Sequence, residues 1–200
     1  LRDFAESTAV RAAALIRTHR ADLVAGDGIA AHTQTKSSAV DPVTEVDTAT
    51  EEFITRTIKE SRPGDGLLGE EGASFDGTTG VRWIVDPIDG TANYSLGIPT
   101  AGILVALVHD RQPVLGLTWL PLLGLTFTSI AGGPLMENGV ESPRMSDVSI
   151  RDVALGLGSL NTGARATYPP AYRREVFERL TLDAARTRKL GSTGVDMAFV

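Results

Sequence analysis

The sequence predicts a layered α/β (α+β) fold, and three observations carry that expectation. Helical periodicity occupies the first sixty residues, short β-rich runs fill the middle, and a helix, a strand and a further helix close the sequence. The 200 residues are 42% hydrophobic and 22% charged, which are globular values. From Gly90 to Met136 the only formal charges are Asp110 and Arg111, yet Pro113, Pro121 and Pro134 interrupt the stretch. A membrane helix would not tolerate that punctuation, so the stretch reads as a sheet buried on both faces.

Residues 1–24 form the first expected helix, with Phe4, Val10, Leu15, Ile16 and Leu23 as its apolar positions. Gly26 and Gly28 close it. The run Gly26-Asp-Gly28-Ile-Ala-Ala31 nearly matches a dinucleotide fingerprint, but it follows a helix and so reads as a turn. A second helix is expected from about Thr48 to Lys59, with Asp47 as N-cap and Phe53, Ile54 and Ile58 buried. Arg62-Pro63-Gly64 stops it. Strands are expected at Leu67-Leu68, Trp83–Val85, Ala101–Val108, Val114–Leu120, Leu125–Ile130 and Val153–Leu157. Asp110-Arg111 and Asn138-Gly139 are hairpin turns. Pro170–Ala185 reads as a helix with Tyr172, Val176, Phe177 and Leu180 on one side. Thr187–Leu190 reads as extended, and a last helix starts at Ser192.

Composition removes several function classes. Lys plus Arg number 19 and Asp plus Glu 25, a net charge of −6, so neither nucleic acid nor an anionic membrane is an expected partner. With no cysteine there is no thiol nucleophile, disulfide or thiolate zinc site. No secretory signal is visible, and a cytoplasmic location is expected. His19 on an arginine-rich helix, His32 in a loop and His109 before a turn read as solvated or capping residues. The sequence begins at Leu1 rather than Met, which sets the expectation of a longer natural protein.

The chemistry concentrates in Trp83-Ile-Val-Asp86-Pro87-Ile88-Asp89-Gly90-Thr91-Ala-Asn93-Tyr94. An apolar strand runs into two carboxylates, a proline that favours leaving the strand, a glycine and a hydroxyl. A helix starting near Thr91 would offer free N–H groups to an anion beside the acids. Taken alone, Pro-Ile-Asp-Gly is equally compatible with a surface turn. Gly69-Glu70-Glu71 after one short strand and Asp47 after Val43–Val46 tip the balance, because each acid lies at an element end. Carboxylates gathered there would repel one another unless cations neutralised them. All-oxygen ligation points to Mg²⁺ or Mn²⁺.

These residues resemble the inositol monophosphatase family of metal-dependent, lithium-sensitive phosphatases. Asp86-Pro-Ile-Asp-Gly-Thr91 matches its signature, with Tyr94 in place of a phenylalanine. Gly69-Glu-Glu71 matches the preceding acidic motif, and Lys36-Ser37-Ser38 with Asp41-Pro-Val-Thr44 and Asp47 matches the N-terminal one. Gly191-Ser-Thr-Gly194 with Val195-Asp-Met matches the substrate-loop motif. The resemblance implies a sugar-phosphatase-like arrangement in one unit spanning 1–200, lacking a C-terminal part. It implies two or three Mg²⁺ ions, with Glu70, Asp86 and the Ile88 carbonyl on the first and Asp86 and Asp89 on the second. Thr91, hydrogen-bonded to Asp47, would activate water with Glu70 in support, while Glu71 is a less certain ligand. The N–H groups of Gly90 and Thr91 would hold the phosphate, Gly191, Ser192 and Thr193 would line the alcohol, and Asp89 also belongs to the substrate-binding set.

The implied reaction is hydrolysis of inositol monophosphate by in-line attack of metal-activated water, without a phosphoenzyme. Histidinol phosphate, fructose 1,6-bisphosphate or a 3′-phosphonucleotide are alternative substrates, and a non-catalytic metal-binding relative is the alternative of another class. The resemblance also implies a homodimer. The family's Trp-Asp motif does not occur before Val200, so a further carboxylate is expected from beyond it.

Overall fold

An alanine stripe, rather than large apolar residues, seats the first helix. The computed structural model describes residues 1–25, 33–35, 42–144, 146–158 and 167–199. In α1 (Arg2–Ala25) the buried apolar positions are Ala5, Ala9, Ala12, Ala13 and Ile16, joined by Thr8, whereas Val10 and Leu15 are exposed. Small side chains let α1 lie close against α2 (Glu45–Ser61). The latter starts three residues earlier than expected, so Asp47 lies within its first turn and not at its cap. Negative charge there is favoured by the free N–H groups of the helix start. The closing Gly26 and Gly28 lie outside the described residues, as does His32.

The chain divides into two compact units, Leu1–Ser142 and Pro143–Val200. In the first, β1 (Thr33–Thr35) and β2 (Pro42–Thr44) form an antiparallel pair. The main sheet has eight strands: β3 (Gly66–Gly69), β4 (Ser74–Phe75), β5 (Val81–Asp89), β6 (Gly102–His109), β7 (Gln112–Leu120), β8 (Leu125–Ile130), β9 (Leu135–Glu137) and β10 (Val140–Glu141). Their spatial order is β10-β9-β8-β7-β6-β5-β3-β4. The β3–β5 pairing is parallel and the others in this sheet are antiparallel. Asp110 and Arg111 both take positive φ, as do Asn138 and Gly139, so both expected hairpin turns form.

One face of the sheet presents Trp83, Val85, Ile103, Val105, Leu107, Leu115 and Leu117 to a core shared with the helices. Phe4 of α1 meets the Trp83 ring edge-on at 5.4 Å. The intervening residues Leu104, Ala106, Val108 and Thr118 are only half-buried. The expectation of a sheet buried on both faces is therefore corrected: its neutral outer face reflects uncharged residues, not burial. Among the described residues no helix is long and apolar enough to cross a membrane.

In the second unit β11 (Ala154–Gly156) and β12 (Arg186–Arg188) pair in parallel, with α4 (Pro170–Asp183) between them in sequence. The expected apolar face of α4 is not realised: none of its residues is buried, and Tyr172 and Val176 are exposed. A short helix, α5 (Thr193–Ala198), follows.

Candidate active site

The strand β5 does not end at Pro87. It runs on to Asp89, and its pairing with β6 slips between Asp86 and Asp89, where three steps along β5 match two along β6. The extra residue is a β-bulge, and a bulge is where a sheet accepts a proline that cannot donate to the ladder. Gly90 then takes φ 89° and ψ 36°, a left-handed conformation that costs a glycine little. That sharp corner starts α3 (Thr91–Ser95) directly beyond the two carboxylates.

The Thr91 hydroxyl donates to the Ile88 carbonyl at 2.9 Å. Its single proton is thus committed, and the expected Thr91–Asp47 hydrogen bond is not the one it makes. The Ile88 carbonyl keeps a second lone pair, so accepting from Thr91 leaves it able to face a cation.

The parallel register of β3 and β5 brings Glu70 to this corner. Gly69 pairs with Val85, and the Glu70 N–H donates to the Val85 carbonyl at 3.0 Å, one residue before Asp86. The turn closes through Gly69 N–H to Ala73 O at 2.7 Å, with Gly72 at φ 115°. From the facing helix α2, Glu51 is only 3% exposed, and its carboxylate accepts from Glu71 N–H at 2.7 Å and Ala73 N–H at 2.9 Å. Sequence reasoning missed Glu51. The available signal was its position one helical turn after Asp47, on the inward face with Val46, Thr50 and Ile54.

Electrostatics gathers three of the expected acids around Asp86. Burial pushes its carboxyl up to about 8, aided by the negative charges of Glu70 and Asp89, a hydrogen bond shared with Glu70, and the charge of Asp47. Asp86 Oδ1 is buried and meets no hydrogen-bond donor among the described residues. Among those residues, no three acidic or imidazole side chains converge tightly enough to grip an ion as they stand. The donor set still suits a hard divalent cation: it is all oxygen, mutually repulsive, and includes a buried carboxylate oxygen with an unused lone pair.

Asp47, 1% exposed, also bears on Tyr94. Burial pushes that phenol up to about 12, while the Arg20 charge lowers it and Asp47 raises it. The Tyr94 hydroxyl donates to Ile16 O at 3.2 Å, so the 2.9 Å contact with His19 Nδ1 has the imidazole as donor. Arg20 donates to the carbonyls of Tyr94 at 3.4 Å and Gly97 at 2.9 Å. His19 is therefore not solvated: with Arg20 it fastens α1 to α3.

In the second unit Gly191 has φ 82°, and Ser192 is the N-cap of α5, its Oγ accepting from Val195 N–H at 3.2 Å. Asp196 Oδ1 accepts from Leu190 N–H at 3.1 Å and braces the same turn. Thr193 is exposed. Lys36, Ser37, Ser38 and Asp41 lie outside the described residues.

The sequence profile of the inositol monophosphatase family matches residues 1–200. A probable inositol 1-monophosphatase, ImpA, of Mycobacterium tuberculosis is 41% identical over 162 residues, covering 80% of this chain and 59% of its own length. A histidinol-phosphatase of the same organism is 36% identical over 151 residues, covering 75% of this chain and 58% of its own. A staphylococcal structure, SaIMPase-II with inositol monophosphate bound, aligns at a TM-score of 0.78 and 25% identity over 100% of this chain and 69% of that one. The same staphylococcal protein has also been solved with 2′-AMP bound. The chain thus spans a little under two thirds of these mycobacterial relatives.

Proposed function

The chain belongs to the inositol monophosphatase family, and from that premise we propose that it is part of a Mg²⁺-dependent phosphomonoesterase acting on inositol monophosphate. The observation that carries the reading is the bulged end of β5, where Asp86 is crowded by Glu70, Asp89 and Asp47 directly before the Gly90–Thr91 corner. Such crowding is unfavourable for the protein alone and favourable around a divalent cation.

Glu70, Asp86, Asp89 and the Ile88 carbonyl would hold the ions, with Asp86 shared between two of them. Bound Mg²⁺ would supply Lewis acidity toward water, the phosphoryl oxygens and the leaving oxygen. The protein's own groups do the positioning. Because the Thr91 proton is committed to Ile88, its oxygen can accept from the attacking water and so fix that water's orientation. Asp47 adds buried negative charge that favours loss of the water's proton, and Glu70 would hold that water from the opposite element. The N–H groups of Gly90 and Thr91 would receive phosphate oxygens. In the second unit, Gly191, Ser192 and Thr193 would meet the alcohol, Ser192 chiefly by keeping its turn in shape. Lithium would inhibit by occupying the Asp86–Asp89 side.

The likeness to a histidinol-phosphatase supports a second reading within the same chemistry. Phosphate release by the full-length protein with Mg²⁺ tests both, using inositol monophosphate, histidinol phosphate, fructose 1,6-bisphosphate and 2′- and 3′-nucleotides. Fastest turnover of inositol monophosphate is the expected result. Release from none of them would leave a non-catalytic metal-binding relative.

A further inference from the structure

We propose that Glu51 is a positioning residue that fixes the main chain on either side of Glu70, and through it the affinity of the site for divalent cations. The inference rests on the metal-dependent reading above and extends it to a residue outside the ligand set.

Glu51 is a buried acid whose partners are backbone amides rather than a basic side chain. Burying a carboxylate is costly unless its oxygens are satisfied, and here each oxygen takes one amide of the same turn, Oε2 from Glu71 and Oε1 from Ala73. The other contacts of that turn fit the same purpose. Glu70 N–H is held by Val85 O on β5, and Gly69 N–H by Ala73 O. Glu70 is thereby clamped between two anchored amides, its own on the sheet and that of Glu71 on α2. With the main chain fixed, its side-chain torsions set where its carboxylate lies beside Asp86.

Gly69 shows that turn and acid are shaped to one another. A Cβ at that position would overlap the Glu51 carboxylate, and the two hydrogen bonds leave that carboxylate little freedom to retreat. An apolar residue at 51 would fill the space but strand the amides of Glu71 and Ala73. The turn would then adopt other conformations, and Glu70 would pay the ordering cost each time a cation bound.

The test uses full-length Glu51→Ala, Glu51→Gln and Glu51→Asp proteins and three readouts. Amide hydrogen exchange reports the turn, electron paramagnetic resonance of Mn²⁺ reports cation binding without substrate, and steady-state kinetics separates KM, kcat and the Mg²⁺ activation constant. Glu51→Ala should speed exchange at Glu71 and Ala73 and weaken Mn²⁺ binding by roughly 10- to 100-fold, as loss of supporting hydrogen bonds does elsewhere. Its kcat at saturating Mg²⁺ should stay within about threefold, since no transition-state contact is removed. Glu51→Gln keeps one acceptor oxygen and should lose protection at one amide, with an intermediate loss of affinity. Glu51→Asp should recover part of both. Should Glu51→Ala fail to fold, Glu51→Gln decides. Faster exchange with unchanged Mn²⁺ affinity would make Glu51 merely structural and overturn the proposal. Unchanged exchange would overturn it as well. Wild-type protein that binds no Mn²⁺ would instead sink the metal-dependent reading, and this inference with it.

Discussion

Asp65 offers a stringent energetic test, because three donors converge on one carboxylate that is 1% exposed. Its Oδ2 accepts from Arg62 Nε at 2.9 Å and Trp83 Nε1 at 3.0 Å, and its Oδ1 from the Thr79 hydroxyl at 2.6 Å. These bonds tie the residue that follows α2 to Trp83 of β5, which lies three residues upstream of Asp86. In Asp65→Ala, Arg62 and Thr79 can turn to water, but the Trp83 indole is buried and its N–H is stranded. A stranded donor costs about 1–3 kcal/mol and each hydrogen bond to a charge contributes about 1.5–3 kcal/mol, without full additivity. A loss of about 3 kcal/mol follows, or a fall of about 10 °C in Tm for a chain of this size. Urea unfolding followed by circular dichroism measures it. The Trp83→Phe background, which removes the stranded N–H, should cut the cost of Asp65→Ala by about 1 kcal/mol or more. The Arg62, Thr79 and Trp83 hydrogen bonds outweigh burial and hold the Asp65 carboxyl below its ordinary value. Its contribution is therefore present above about pH 4 and fades as pH falls below that. A loss under about 1 kcal/mol, or strict additivity with Trp83→Phe, would refute the reasoning.

Other outcomes follow from the site. In chelator, Asp86→Asn should melt higher than wild type near pH 8 and converge with it near pH 4, because the fold disfavours the ionised carboxylate; with Mg²⁺ supplied, its phosphate release should nonetheless be absent. Calorimetry at both pH values checks this, and an identical pH profile for the two proteins would contradict it. Thr91→Ala should lower kcat by about 10²-fold or more while shifting the Mg²⁺ activation constant little, since it acts on water; the opposite split in kinetics would reassign it. Chelation should abolish phosphate release and Mg²⁺ restore it, with Li⁺ inhibiting less as Mg²⁺ is raised before turnover; activity surviving exhaustive metal removal would end the two-ion scheme.

Local rules made some elements legible and not others. Asp110-Arg111 and Asn138-Gly139 could be placed because hairpin turns need residues that tolerate positive φ. Asp86, Asp89 and Glu70 were legible as acids at element ends, where β3 and β5 discharge their side chains. Pro87 misled, because its rule concerns regular ladders and here it occupies a bulge defined by β6, a partner invisible to local reading. The seating of α1 misled because hydrophobicity favours Val10 and Leu15 while close helix packing favours alanine. Glu51, Tyr94 and His19 stayed hidden because their roles lie in hydrogen bonds to groups distant in sequence.

The link between α1 and α3 has a consequence for synthesis. His19 and Tyr94 are 75 residues apart in sequence. At about 5–20 residues per second, α1 leaves the ribosome roughly 4–15 seconds before the phenol it will bind. Until α2, and after it the sheet, has followed, the helix carries an inward face with no partner. Had that face been leucine, it would have been an adhesive surface on every nascent chain in a polysome. A face of Ala5, Ala9, Ala12 and Ala13 exposes little to stick, yet becomes a close seat once the sheet arrives. The alanine stripe thus lets α1 wait safely for the elements that will cover it.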